Sequence, residues 1–145
     1  MLGSSGMAAY ELEFYEDAHG DEPVLRWIRE ELTLAKRKAL GHAMNTVLQE
    51  VGLTVCGTEF GRQLGGGLFE FRLRRDLREA AGTHEETGRI LLRVFCHAHG
   101  DRLILLVGGY DKGEHPSPRR QSAEIALART RLKDWQARSG RDRRG

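Results

Sequence analysis

Residues 65–110 restrict the fold of this chain more than any other stretch. They read GGGLFEFRLRR, a polar interruption, GRILLRVFCHAH, the two-residue turn Gly100-Asp101, and RLILLVGGY. In the first run Phe69, Phe71 and Leu73 alternate with Glu70, Arg72 and Arg74. In the second, Ile90, Leu92, Val94 and Cys96 alternate with Arg89, Leu91, Arg93, Phe95 and His97. Alternation of period two sends successive side chains to opposite faces of a strand. Residues 103–107 are apolar at both parities, as in a strand covered on both faces. Gly100-Asp101 is hairpin chemistry. Together the runs predict an antiparallel meander with one core face and one face bearing Arg72, Arg74, Arg89 and Arg93. Charges opposite a core are ordinary on a soluble protein. Four arginines on two adjoining strands still suggest a surface that receives an anion.

The flanking sequence supplies what such a sheet needs. Residues 10–15 (YELEFY) alternate apolar and acidic and predict a strand that pairs with the sheet, since an isolated strand or hairpin is marginal. Asp21 or Glu22 near the N-cap and Pro23 in the first turn open a helix whose apolar stripe is Val24, Leu25, Ile28 and Leu32. A second helix over residues 33–51 presents Leu40, Met44, Val47, Leu48 and Val51 on one side, and the run Lys36-Arg37-Lys38 reads as its solvated side. Gly52 stops it. Residues 53–67 are glycine-rich and read as a loop; residues 76–88 read as a flexible hairpin loop. Ser117-Pro118 reads as N-cap and first position of a last helix, with Ile125, Ala128, Leu132 and Trp135 as its packing stripe.

Residues 1–9 read as a flexible leader and 137–145 as a disordered basic tail, leaving a single domain over 10–136. The expected fold is α+β: a twisted antiparallel sheet of about four strands, two N-terminal helices on one face, and a C-terminal helix.

Composition narrows the function. The chain is 39% hydrophobic and 30% charged, with no apolar run near the roughly 20 residues of a membrane span and no signal-peptide core. That predicts a cytoplasmic protein without membrane contact. Two cysteines, Cys56 and Cys96, make no disulfide framework, and both are expected reduced. Residues 1–32 hold eight acids against two arginines, a net charge of −6, which leaves +8 on the rest of a chain whose total is +2. This asymmetry suits a local nucleic-acid site.

Specific chemistry is sparse. Cys96, His97 and His99 do not share a strand face and no second ligand pair lies at a zinc-like spacing, so no metal is expected. The glycines at 65–67 are followed by a strand and no Lys-Ser/Thr, which rules out a phosphate loop. What remains is the arginine face together with Tyr110, Lys112 and His115, where the last strand ends. Such a set suits RNA cleavage without a metal or cofactor. A base near neutral pKa removes the 2′-hydroxyl proton, guanidiniums stabilise charge developing on phosphate, and an acid protonates the leaving oxygen. His115 has the ordinary histidine range for this work.

A strand, two helices, GLFEFRLRR (67–75), GRILLRVF (88–95), LILLVGGYDKG (103–113) and SPRRQSAEIALARTRLKDW (117–135) follow one another in an order that resembles the RelE/HigB superfamily of toxins, in particular its phage-derived HigB-like branch. The resemblance spans residues 10–136. It implies a type II toxin–antitoxin toxin that cuts mRNA in the ribosomal A site and is silenced by a cognate antitoxin, expected to be of helix-turn-helix type. Carried over by position, Arg72 and Arg89 match the motif arginines and Lys112 the lysine after the last strand. The implied catalytic set is Arg72, Arg89, Lys112 and His115, with Arg74, Arg93 and Tyr110 binding RNA phosphate. The branch often has a second basic residue after the lysine, where this chain has Gly113-Glu114-His115; either His115 takes over part of that role or activity is weak or lost. Two rival readings share the fold: a ParE-like toxin that poisons DNA gyrase, and a non-toxic phage or prophage protein. The strand arginines with Lys112 and His115 favour RNA chemistry.

Overall fold

Register decides which side chains meet, and the meander has the register that its alternation predicts. In the computed structural model, which describes residues 9–76 and 88–144, Arg72 of β3 (Leu68–Asp76) lies opposite Arg93 of β4 (Arg89–His99), and Leu73 opposite Leu92. β5 (Leu103–Asp111) continues antiparallel to β4. The expected leader, apart from residue 9, and residues 77–87 of the expected hairpin loop lie outside the described residues.

Two features correct the four-stranded antiparallel expectation. β1 (Glu11–Phe14) pairs with β5 in parallel, so the sheet is mixed. Alternation in YELEFY fixes which side chains share a face and says nothing of strand direction. The fifth strand, β2 (Gly61–Gly65), lies inside the segment read as a loop and pairs antiparallel with β3. Its sequence, GRQLG, has no apolar alternation, and only the chain turn through Gly65, Gly66 and Gly67, all at positive φ, brings it against β3. The strand order is β1-β5-β4-β3-β2.

The N-terminal helices cover one face, as expected. α1 (Pro23–Arg26) runs into a π-helical turn, Trp27–Glu31, and α2 (Leu34–Ala43) continues through Met44–Leu48 to Val51. Val24, Ile28, Leu32, Leu40, Met44 and Leu48 are buried against Phe69, Phe71, Leu73, Ile90, Leu92 and Val94. The second face is also roofed. α3 (Pro118–Arg144) lays Ala128 and Leu132 on Leu68, Phe95, Leu105, Val107 and Tyr110. That explains why β5 is apolar at both parities: the domain has three layers. Ser117 Oγ accepts from Arg120 N at 3.1 Å, the expected N-cap. The helix does not stop at residue 136. Its continuation corrects the expected disordered tail, and Arg138 secures it by pairing with Asp134 at 2.8 Å, one turn back, and donating to the Glu16 carbonyl.

One irregularity sets up the site. Phe95 pairs with Gly108 but Cys96 with Leu106, so Val107 is an extra residue in β5, a β-bulge. Unbroken alternation from Leu105 would put Asp111 beneath α3 and Tyr110 towards the N-terminal helices. The bulge exchanges them. Arg131 Nη1 donates to the Val107 carbonyl at 3.0 Å and fixes the distortion. Packing requires the glycine at 109, where a Cβ would stand 2.6 Å from the Trp27 ring, and makes 108 tight, with a Cβ 3.1 Å from Phe95.

Candidate functional site

The arginine face is a corner, not a plain. α3 covers its middle, so the charged groups gather where β3, β4 and β5 emerge near the start of that helix. Arg72 pairs across β3 and β4 with Arg93, which in turn pairs across β4 and β5 with Tyr110. Paired residues project to the same face, so these three form one row.

Two guanidiniums directly opposite one another repel. Glu70, two residues before Arg72 and on the same face, offsets this. It is completely buried. Arg72 Nε donates to its Oε2 at 2.7 Å, Gln121 Nε2 of α3 donates to its Oε1 at 3.2 Å, and Arg93 Nε lies 3.8 Å from Oε1. Arg93 is 8% exposed, and its Nη1 donates to the Leu92 carbonyl at 3.3 Å. Burial lowers its pKa and Glu70 opposes that effect; a guanidinium nevertheless stays charged.

Tyr110 is 1% exposed, with its ring stacked on Phe95 at 6.1 Å between centroids and the Arg120 guanidinium 5.9 Å from its own centroid. Burial raises its pKa, so the phenol keeps its proton at neutral pH. Both Tyr110 Oη and Arg93 Nε are buried without a hydrogen-bond partner. A buried donor without a hydrogen-bond partner is costly, and these two lie side by side in the row.

Lys112 completes the corner. It is half-buried, and its Nζ reaches Gln121 Oε1 at 3.4 Å, linking it through that amide to Glu70. Burial, then the nearby Arg93, lowers its pKa, with Glu70 pulling the other way and Arg72 and Arg62 adding to the depression. Arg62 of β2 pairs with Glu70 in register and so shares this face. Four cations therefore surround one buried carboxylate, leaving surplus positive charge fixed in place.

Of the residues expected from sequence, Arg72, Arg93, Tyr110 and Lys112 are brought together. Arg74 is exposed one step further out, opposite Leu91. Arg89 pairs with Asp76 at the outer end of the hairpin, about 13 Å along the strand from Arg93 at the usual strand rise. His115 is not gathered with them. It lines a cleft of about 260 Å³ with Trp27, Thr33, Lys36 and Asp111, on the side of the N-terminal helices, and Arg120 is the side chain that cleft shares with the cluster.

Glu114 Oε1 lies 3.4 Å from Lys36 Nζ, and Glu114 lines the same cleft as His115. Glu70, Arg62 and Gln121 were not anticipated. Glu70 had the right parity in the sequence, but alternation assigns a face, not a degree of burial. Arg62 fell in a segment without strand patterning.

Cys96 is buried on the helical side of β4, while His97 and His99 lie on the opposite side, edge-on to Trp135 at 6.0 and 4.9 Å. Among the described residues no group of three or more His, Cys, Asp or Glu side chains is arranged to hold a metal. No described helix is long and apolar enough to cross a membrane. No protein-family model matches the chain, and no curated protein matches it. Fold and corner together make an α+β domain that fixes four cations around one buried carboxylate.

Proposed function

We propose that the protein is the toxin of a type II toxin–antitoxin pair, a RelE/HigB-like endoribonuclease that cuts mRNA on the ribosome without a metal. The observation that carries this reading is the row Arg72–Arg93–Tyr110 with Lys112 beside it, fixed around a single buried carboxylate. Arg72 and Arg93 supply guanidiniums aimed at the charge that grows on the phosphorane oxygens. Lys112, whose ammonium is destabilised by burial and by its cationic neighbours, is the group for proton transfer, and the Tyr110 phenol adds a donor. Arg74 and Arg89 extend the positive track to neighbouring phosphates, and His115 stays outside the reacting centre. A helix-turn-helix antitoxin would silence the protein by laying acidic residues over this corner.

Controlled expression in a bacterial host tests the reading. Growth should stop, with amino-acid incorporation falling before DNA synthesis, and Arg72→Ala should relieve the arrest. Gyrase-linked DNA breaks would replace it with the ParE-like reading. Normal growth with soluble, folded protein would remove toxicity altogether.

A further inference from the structure

Lys36 belongs to a basic run that reads as solvated, yet its side chain is only 15% exposed. It lies in the first turn of α2, on the face of the sheet away from the arginine corner. Thr33 Oγ1, the N-cap of that helix, accepts from Lys36 N at 3.3 Å and fixes the backbone there. Lys36 Nζ then donates to Asp111 Oδ2 at 2.6 Å, and the Asp111 side chain is 9% exposed.

Asp111 is the last residue of β5 and the first of the turn that carries Lys112. Its Oδ1 accepts from Glu114 N at 3.1 Å, and its carbonyl accepts from His115 N at 3.0 Å. Gly113 N donates to the Leu91 carbonyl of β4 at 3.2 Å. Lys112 is thus held on both sides: Asp111 is tied down to α2 and Gly113 is tied across to β4. With Asp111 turned towards the helices, strand alternation sends Lys112 to the other face, where it meets Gln121.

We propose that the Lys36–Asp111 pair is a strut through which the helical layer sets the position of Lys112 over the arginine corner, so that Lys36 is a positioning residue for a site it does not touch. The functional consequence rests on the RNA-cleavage reading; the placement of Lys112 does not. A pair that served global stability alone would leave the surroundings of Lys112 unchanged whenever the protein folds. A strut would not, because releasing Asp111 frees the turn and takes Lys112 away from Arg93, Arg72, Arg62 and Glu70. The buried pair makes that release costly in the native protein, since each charge is desolvated and satisfied chiefly by the other.

The experiment separates the two layers of the argument. The chain has four lysines, at 36, 38, 112 and 133, so the side-chain signals of lysine-labelled protein are few enough to assign by single substitutions. In the native protein Lys112 should titrate below the ordinary lysine value. In Lys36→Met it should move up towards that value, and in Lys36→Arg, which keeps a cation for Asp111, it should stay low. Should Lys36→Met fail to fold, Asp111→Asn, which keeps an acceptor for the Glu114 N–H, is read in the same way. An unmoved Lys112 titration in either folded variant overturns the strut. For RNA cleavage, Lys36→Met should lose about as much rate as Lys112→Ala, roughly a hundredfold, and Lys36→Arg should retain most of it. If the native protein cleaves no RNA while the Lys112 titration moves as expected, the functional reading fails and the strut stands.

Discussion

Glu70 shows how a single side chain organises charge that would otherwise push apart. Arg72 and Arg93 face one another across two strands, and the Glu70 carboxylate that pairs with both is fully buried. Glu70→Ala would leave the largely buried Arg93 beside Arg72 with nothing to offset it. Removing one partner of a buried pair costs about 3 kcal/mol, so the midpoint of urea unfolding should fall accordingly, while Glu70→Gln, which keeps an acceptor for Gln121, should cost clearly less. Equal stability of Glu70→Ala and the native protein would mean that Glu70 does not hold the row together.

At this scale the sequence was informative about direction and silent about depth. Arg72, Arg74, Arg89 and Arg93 share a face as alternation requires. Which of them is half-buried depends on where α3 crosses the sheet, and no residue pattern in β3 or β4 records that crossing. His115 follows Lys112 closely in sequence, yet the turn that carries it directs it to the side of the N-terminal helices.

Among elements, β5 does the most. The Val107 bulge makes consecutive residues Tyr110 and Asp111 serve opposite faces, one for the arginine row and one for α2. Gly109→Ala should therefore be disproportionately harmful. Its methyl would meet the Trp27 ring at 2.6 Å, and overpacking of this kind costs about 2 kcal/mol. Thermal unfolding should show a clear loss for Gly109→Ala and a smaller one for Gly108→Ala, where the nearest contact is 3.1 Å. Equal effects would argue that the bulge tolerates repacking against the helical layer.

The link between α2 and β5 carries a pH dependence. Burial of Lys36 disfavours its charge, but the hydrogen bonds and charges of Asp111 and Glu114 outweigh that and raise its pKa above the ordinary lysine value. A cation whose pKa is raised by folding contributes stability throughout the neutral range, and that contribution is lost as pH climbs through the raised pKa. The native protein should lose stability on the alkaline side more steeply than Lys36→Met. Parallel stability curves above pH 9 would contradict the assignment.

The elements themselves were largely legible: a period of two marked β1, β3 and β4, a run apolar at both parities marked β5, and spacings of three to four marked the helices. The glycine-flanked β2 was not, because its pairing comes from a tight turn and not from any alternation of its own. Nor was the parallel direction of β1, which depends on how the two helices return the chain to the sheet.

For the whole molecule, three layers bring a positive corner to the end of a sheet whose opposite face packs against the N-terminal helices. The acidic residues of the first 32 positions lie in β1, α1 and the segments around them, while the corner is built from β2 onward, so the charge asymmetry of the sequence is an asymmetry of the fold as well. On the proposed function, this asymmetry would steer a polyanion to one end, and an acidic partner would relieve the charge there.

The most direct measurement is primer extension on an mRNA in a translating extract, compared with the same mRNA without ribosomes, for the native protein, Arg72→Ala, Lys112→Ala and Arg89→Ala. Cleavage that appears only with translating ribosomes is predicted. It should fall about a hundredfold with either Arg72→Ala or Lys112→Ala, the usual effect of losing one fixed donor to a developing oxyanion, and less with Arg89→Ala at the outer end of the hairpin. Cleavage undiminished by Arg72→Ala and Lys112→Ala would contradict the account.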